Sequence, residues 1–264
     1  MAHSLRWGQS TSRPKTPATV LLQQLPDSPG EERERMVRDF ALRGDVPDYV
    51  QTWCPVPVSR GRHSGVFYCA PDFLSIGDDY DFVRVRINGV TAELIGAVVG
   101  AVLPTKHMVD LIYDASKQLE AQPWGPPYDQ SMMTTKRWRR QDKKIDDQAS
   151  DAMFARGDLW EGHAKNVVVG AGLTAKRGEN IGIYGWFDER GRAIQGPAVN
   201  WNSHEWTYTD YSQCIRLIHK DMLVDGMPMA VREVLQDKEL APLISDEGTL
   251  AHCTYREFHP EWLE

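Results

Sequence analysis

The spacing of apolar positions changes along the chain. Up to about residue 150 the longer segments repeat every three or four residues, which predicts helices. From Gly157 onward, short β-branched runs separated by Gly, Asn and Asp predict strands and turns. Glu31 to Arg43 reads as a charged helix stopped by Gly44, and its alternating signs predict a solvated face. Thr91 is placed to cap a helix over 92–103, and Pro104-Thr105 to start a second one running to Leu119. Met108, Leu111, Ile112 and Ala115 share one face, so this helix pair is expected to be core scaffold. Cys54 to Ser59, Gly65 to Cys69 and Phe82 to Ile87 have the Val, Tyr and Phe content of strands. In the last of these, Arg84 and Arg86 alternate with Val83, Val85 and Ile87, which predicts a wet or ion-paired face.

Pro123-Trp124-Gly125-Pro126-Pro127 predicts a rigid loop. The basic run Lys136-Arg137-Trp138-Arg139-Arg140, with Lys143 and Lys144, reads as a surface segment balanced by Asp142, Asp146 and Asp147. Further on, Val167 to Val169 and Asn180 to Phe187 read as strands, with a hairpin turn at Asp188 to Gly191. Cys214 to Val224 reads as a third strand region with its turn at Asp225-Gly226, followed by helices over Pro228 to Leu235 and Leu240 to Ile244. The expected fold is α+β: a helical N-terminal half packed on a mainly antiparallel β C-terminal half in a single compact domain. Its expected limits are residues 31–252. A flexible Ser/Thr/Pro/Gln-rich segment, 1–30, precedes it, and a tail, 253–264, follows, whose final Leu263-Glu264 resembles a cloning remnant.

Composition narrows the function. The 264 residues carry a net charge of −7, which does not favour nucleic acid as a partner. The longest uncharged apolar run, Leu94 to Leu103, is too short for a bilayer, which takes about 20 residues. Four dispersed cysteines make neither a disulfide scaffold nor a zinc finger. No histidine pair has strong metal-ligand spacing, so neither metal nor other cofactor is expected. The opening Met1-Ala2-His3-Ser4-Leu5-Arg6 lacks an apolar signal core. The compartment therefore stays open, with a secreted or periplasmic protein whose signal has been removed as one expectation.

Two segments hold candidate chemistry. In Gly162-His163-Ala164-Lys165-Asn166, a histidine at the mouth of a buried strand suits a fixed general base. Lys165, two residues on, shares its side and would meet a developing anion. The second segment, Trp201 to Arg216, supplies His204 as a base, Asp210 as its orienter, Ser212 or Cys214 as a nucleophile and Arg216 as a cation. Trp206, Tyr208 and Tyr211 offer flat rings for a sugar. Both segments are expected to face one cleft. The chemistry assigns His163, His204, Asp210 and Ser212 to catalysis, and Lys165, Trp206, Tyr208, Tyr211 and Arg216 to substrate.

Leu103-Pro104-Thr105-Lys106-His107-Met108-Val109-Asp110, Gly162 to Val168, Ile183-Tyr184-Gly185-Trp186 and Asp210 to Leu217 resemble a family of bacterial proteins, often secreted, with no secure activity. In that family the stretch at Ser212 reads Ser-His-Gly-Ile-Arg, without a cysteine. Ser212-Gln213-Cys214-Ile215-Arg216-Leu217 also resembles the Ser-His-Gly-Cys-Ile/Val-Arg stretch of L,D-transpeptidases, one residue short and lacking the middle His and Gly. The order of His163 before a later Ser or Cys is similar to permuted NlpC/P60-like hydrolases. These resemblances imply a hydrolase or acyl transferase acting on a polymeric cell-envelope substrate such as peptidoglycan. Two alternatives remain: a glycan-active enzyme using carboxylates from Glu205, Asp210 and Asp188 with Trp201 among its rings, or a non-catalytic cell-wall-binding module. Oligomeric state is not legible.

Overall fold

The computed structural model describes residues 13–174, 180–206 and 208–259. Six helices form among them: α1 (Ala18–Leu22), α2 (Glu31–Leu42), α3 (Gly89–Val99), α4 (Lys106–Ala115), α5 (Thr135–Asp151) and α6 (Val231–Gln236). The first strands are β1 (Cys54–Arg60), β2 (His63–Cys69), β3 (Ser75–Gly77), β4 (Phe82–Arg84), β5 (Ala101–Val102), β6 (Lys117–Gln118) and β7 (Trp160–Glu161). The later ones are β8 (Lys165–Val168), β9 (Gly182–Phe187), β10 (Ala193–Asn200), β11 (Gln213–Cys214), β12 (Ile218–His219), β13 (Asp221–Val224) and β14 (Met227–Ala230). The fold is α+β and mainly antiparallel, as the sequence predicts. The two halves nevertheless share a sheet. In the antiparallel six-stranded sheet, β1 pairs along the whole of β2, while β13 and β12 pair with its two ends; β14 and β5 flank them. The four-stranded sheet has the order β10-β9-β8-β11, and β11 lies parallel to β8. One continuous apolar cluster joins both sheets to α2, α3 and α4. No helix among the described residues is long and apolar enough to cross a membrane.

Several local expectations are corrected. The Asn88 side chain, rather than Thr91, caps α3, accepting from Thr91 N at 2.8 Å. Gly100, at φ +75°, ends that helix, and β5 separates it from α4, so the expected helix–helix corner is helix–strand–helix. Cys214 to Val224 is broken into β11, β12 and β13 because the chain leaves one sheet for the other there. Met227–Ala230 forms β14 before α6 begins, because the turn at Asp225 and Gly226, both at positive φ, folds the chain back along β13. Pro228 is tolerated on this edge strand, where no N–H is needed.

The expected solvated face of α2 is not solvated at Arg33 and Glu34, which are buried. Arg33 donates to Met133 O at 2.7 Å and Thr209 Oγ1 at 3.0 Å, and Glu34 accepts from Asn88 N at 3.1 Å. On α5, Asp142 does not balance its basic neighbours but points inward to Arg86. Residues 13–30, where described, are packed: Ala18 and Leu21 are buried, and Arg13 pairs with Asp45. The tail expected from residue 253 is also part of the body as far as 259. Tyr255 is buried, and its hydroxyl donates to Val168 O at 2.6 Å. Residues 1–12 and 260–264 of the two predicted end segments lie outside the described residues.

Candidate functional site

The site is assembled where β8 is flanked by β9 and β11. All four β8 residues are buried, as befits a strand paired on both edges, and Lys165 lies opposite Gln213 in parallel register. Lys165 N donates to Ser212 O at 2.7 Å, which locks β8 to the turn before β11. That turn is made by Asp210, whose Oδ1 accepts from Ser212 N at 2.9 Å and Ser212 Oγ at 2.7 Å. Its other oxygen accepts from Lys165 Nζ at 2.7 Å. Burial pushes the Asp210 carboxyl up, but the charges of Lys165 and His204 and the bonds from Lys165 and Ser212 outweigh it and hold the pKa at about 2.

His204 is clamped from the other side. Its Nδ1 lies 2.8 Å from Gln213 Oε1, and Gln213 Nε2 donates to Ile87 O at 3.1 Å. A carbonyl oxygen only accepts, so the amide orientation is fixed, Oε1 faces the ring and Nδ1 carries the proton. Burial, then the Lys165 charge, lower the His204 pKa against Asp210 and Gln213, so the imidazole is neutral near neutral pH. Its Nε2 lone pair remains, 3.7 Å from Asp210 Oδ2, beyond hydrogen-bonding range. Tyr208 meets the ring edge-on at 4.6 Å.

The structure thus brings Lys165, His204, Asp210 and Ser212 together. It gives His163 other partners: the ring is fully buried, with Nε2 3.1 Å from Asp72 Oδ1 and the Phe73 ring at 4.9 Å. Gly162 precedes it at φ +105°, and a Cβ there would lie 2.0 Å from Leu119 O, so only glycine lets these backbones meet. Arg216 has no face for a substrate. It is buried beneath Phe73, and its terminal nitrogens bond Ala70 O, Trp160 O and Glu161. Tyr211 is buried too, its hydroxyl accepting from Trp124 N at 3.0 Å, while half-buried Trp206 stacks on His259. Of the alternative carboxylates, Asp188 is bound to Arg192 on the hairpin turn and Glu205 is exposed.

Sequence reasoning missed Gln213 and Trp186. Gln213 gave no signal beyond its place between Ser212 and Cys214. Trp186 sits in β9 at φ +60°, next to Gly185 at φ +94°, a left-handed conformation that a tryptophan rarely adopts. Its indole lies 5.4 Å from Lys165 Nζ.

Cys214 is buried between Phe73 and Ala164, and burial pushes its thiol up to about 12. In native protein, a thiol reagent is expected to leave Cys214 and Cys69 unmodified while reacting with half-buried Cys54 and Cys253. Mass mapping of the labelled peptides checks this, and rapid labelling of Cys214 would return it to the nucleophile role.

Among the described residues, one group of possible metal ligands, His107, Asp110 and Asp246, brings its atoms within 4.8 Å of one another. Lys106 Nζ lies 2.8 Å from Asp110 and 2.7 Å from Asp246, so these carboxylates already hold a cation belonging to the chain. Compared with known proteins, the chain matches no family model, no curated protein and no solved structure.

Proposed function

We propose that the protein is a hydrolase or acyl transferase with His204 as its general base and a cell-envelope polymer such as peptidoglycan as its substrate. The observation that supports this reading is the clamp on His204: Gln213, itself held by Ile87 O, fixes the tautomer and leaves Nε2 unprotonated beside a buried cation. In the proposed step, Nε2 takes a proton from an attacking hydroxyl as its oxygen bonds to the substrate carbonyl carbon. The charge that develops on the carbonyl oxygen meets the Lys165 ammonium, which Asp210 keeps in place. His204 then gives the proton to the leaving group as that bond breaks. The Ser212 hydroxyl is committed to Asp210, so the attacking hydroxyl in this scheme belongs to water or to an acceptor molecule.

Purified peptidoglycan sacculi, with released fragments separated by chromatography, provide the assay. His204→Ala is expected to lose about 10²–10⁴-fold in rate in protein that still unfolds cooperatively, at a lower temperature because a cavity and an unpaired Gln213 Oε1 are left behind. Gln213→Glu, which places a carboxylate on Nδ1, should raise the His204 pKa and move the acid limb of the pH–rate profile upward. Full turnover by H204A would overturn the reading. Lys165, His204, Asp210 and Ser212 are each at most 5% exposed, so a polymer resting on the surface touches little of them. Sacculus binding without fragments, unchanged in H204A, would decide for a binding module.

A further inference from the structure

A cleft of about 650 Å³ lies away from this site, between the last turn of α3, β5, α6 and residues 253–257. Its volume is that of a small-molecule site. Val102, Leu103, Val231 and Leu235 give it an apolar wall. Three cations line it, Lys220, Arg232 and Arg256, against two carboxylates, Glu93 and Glu257.

The carboxylates are occupied. Glu257 takes Arg232 at 3.1 Å on one oxygen and His252 at 2.6 Å on the other. Glu93 accepts from the Thr254 hydroxyl and from the backbone N–H groups of Tyr255, at 2.9 Å, and Arg256, at 3.1 Å. Lys220 reaches Asp221 at 3.5 Å. Arg256 is the exception. Its guanidinium makes no hydrogen bond and no close ion pair among the described residues, although its charge is felt at Glu93, and its Nε is shielded from solvent without a hydrogen-bond partner. A shielded guanidinium N–H without an acceptor is costly, and the planar fork matches a carboxylate.

We propose that this cleft binds a carboxylate carried on an apolar body, with the carboxylate on Arg256 and the body against Val102, Leu103, Val231 and Leu235. The guanidinium supplies charge-assisted bonds to the head, and burial of the tail supplies the remaining affinity. Apolar surface alone would hold an alcohol as well as an acid. The anchor on Arg256 makes the site selective for the acid.

Isothermal titration of the full chain with octanoate, octan-1-ol and acetate tests this. Octanoate is expected to bind saturably with one-to-one stoichiometry, and the alcohol and acetate at least about tenfold more weakly. Arg256→Gln should cost octanoate about tenfold while leaving the alcohol unchanged. Ala97 is exposed on α3 at the cleft wall, so Ala97→Trp should block binding without entering the core. Both variants are checked by thermal melts. Equal affinity for octanoate and octan-1-ol, unchanged octanoate binding by R256Q or A97W, or no saturable heat with octanoate would each overturn the proposal.

Discussion

Asp210→Asn is expected to destabilise the protein by about 3–5 kcal/mol, the cost of stranding a buried charge. The amide keeps an oxygen for Ser212 but turns an NH₂ toward the Lys165 ammonium, which is itself buried. Lys165→Met combined with Asp210→Asn removes the stranded charge, so the double variant should lose clearly less than the sum of the two single ones. Urea unfolding of the four proteins measures the difference, and strict additivity would mean that the pair does not interact. The same carboxylate gives an acid signature. Its folded pKa of about 2 lies below the unfolded value of about 3.9, so its contribution is complete above pH ~4 and is lost as pH falls toward 2. The Asn variant should lack that part of the acid transition.

Arg86→Met should cost a similar amount, about 3–5 kcal/mol, although Met preserves most of the stem. Arg86 is fully buried. Its Nη2 lies 2.6 Å from Asp142, and its Nε donates to Tyr211 O at 3.0 Å, next to the Asp210 turn. Losing it leaves Asp142 with the Arg84 backbone N–H at 2.6 Å and the Arg84 guanidinium at 3.9 Å. Arg84 is itself held by Asp72 at 2.7 Å and Asp146 at 3.1 Å. Lys143→Met is the contrast: its 2.7 Å bond to Asp147 lies in water, so the change should stay within about 0.5 kcal/mol. Chemical melts that rank the two variants equally would contradict the buried-network account.

The alternation of Arg84 and Arg86 with Val83, Val85 and Ile87 forecasts a face that is either wet or ion-paired, and the fold takes the second, because both guanidinium groups are fully buried. The partners were not forecast. Asp142 and Asp146 come from a helix more than fifty residues away, and sequence had assigned them to the lysines beside them. The charged pattern of α2 misled in the same way at Arg33 and Glu34, which are charged yet buried, since pattern records polarity and not what a distant segment offers in return. In the candidate site, Lys165, His204 and Asp210 were legible by chemical type because such residues are expensive at strand ends. Gln213 was not, because an uncharged amide has no such cost until a histidine is folded against it. The β14 edge strand was obscured by Pro228 and by methionines common to helices, and only the turn at Asp225-Gly226 determined its conformation.

The passage of the chain from β11 in one sheet to β12 in the other has a mechanical consequence. Ile215 O and Leu217 O accept from Leu74 N and Ala70 N, so the short span between the sheets is itself sewn to the 70–74 segment. Residues 210–224 therefore act as a rivet through two plates: the Asp210 turn cannot swing outward without pulling on the six-stranded sheet. The lysine–aspartate anvil is therefore stationary, and His204 is tied to the same rivet through Gln213.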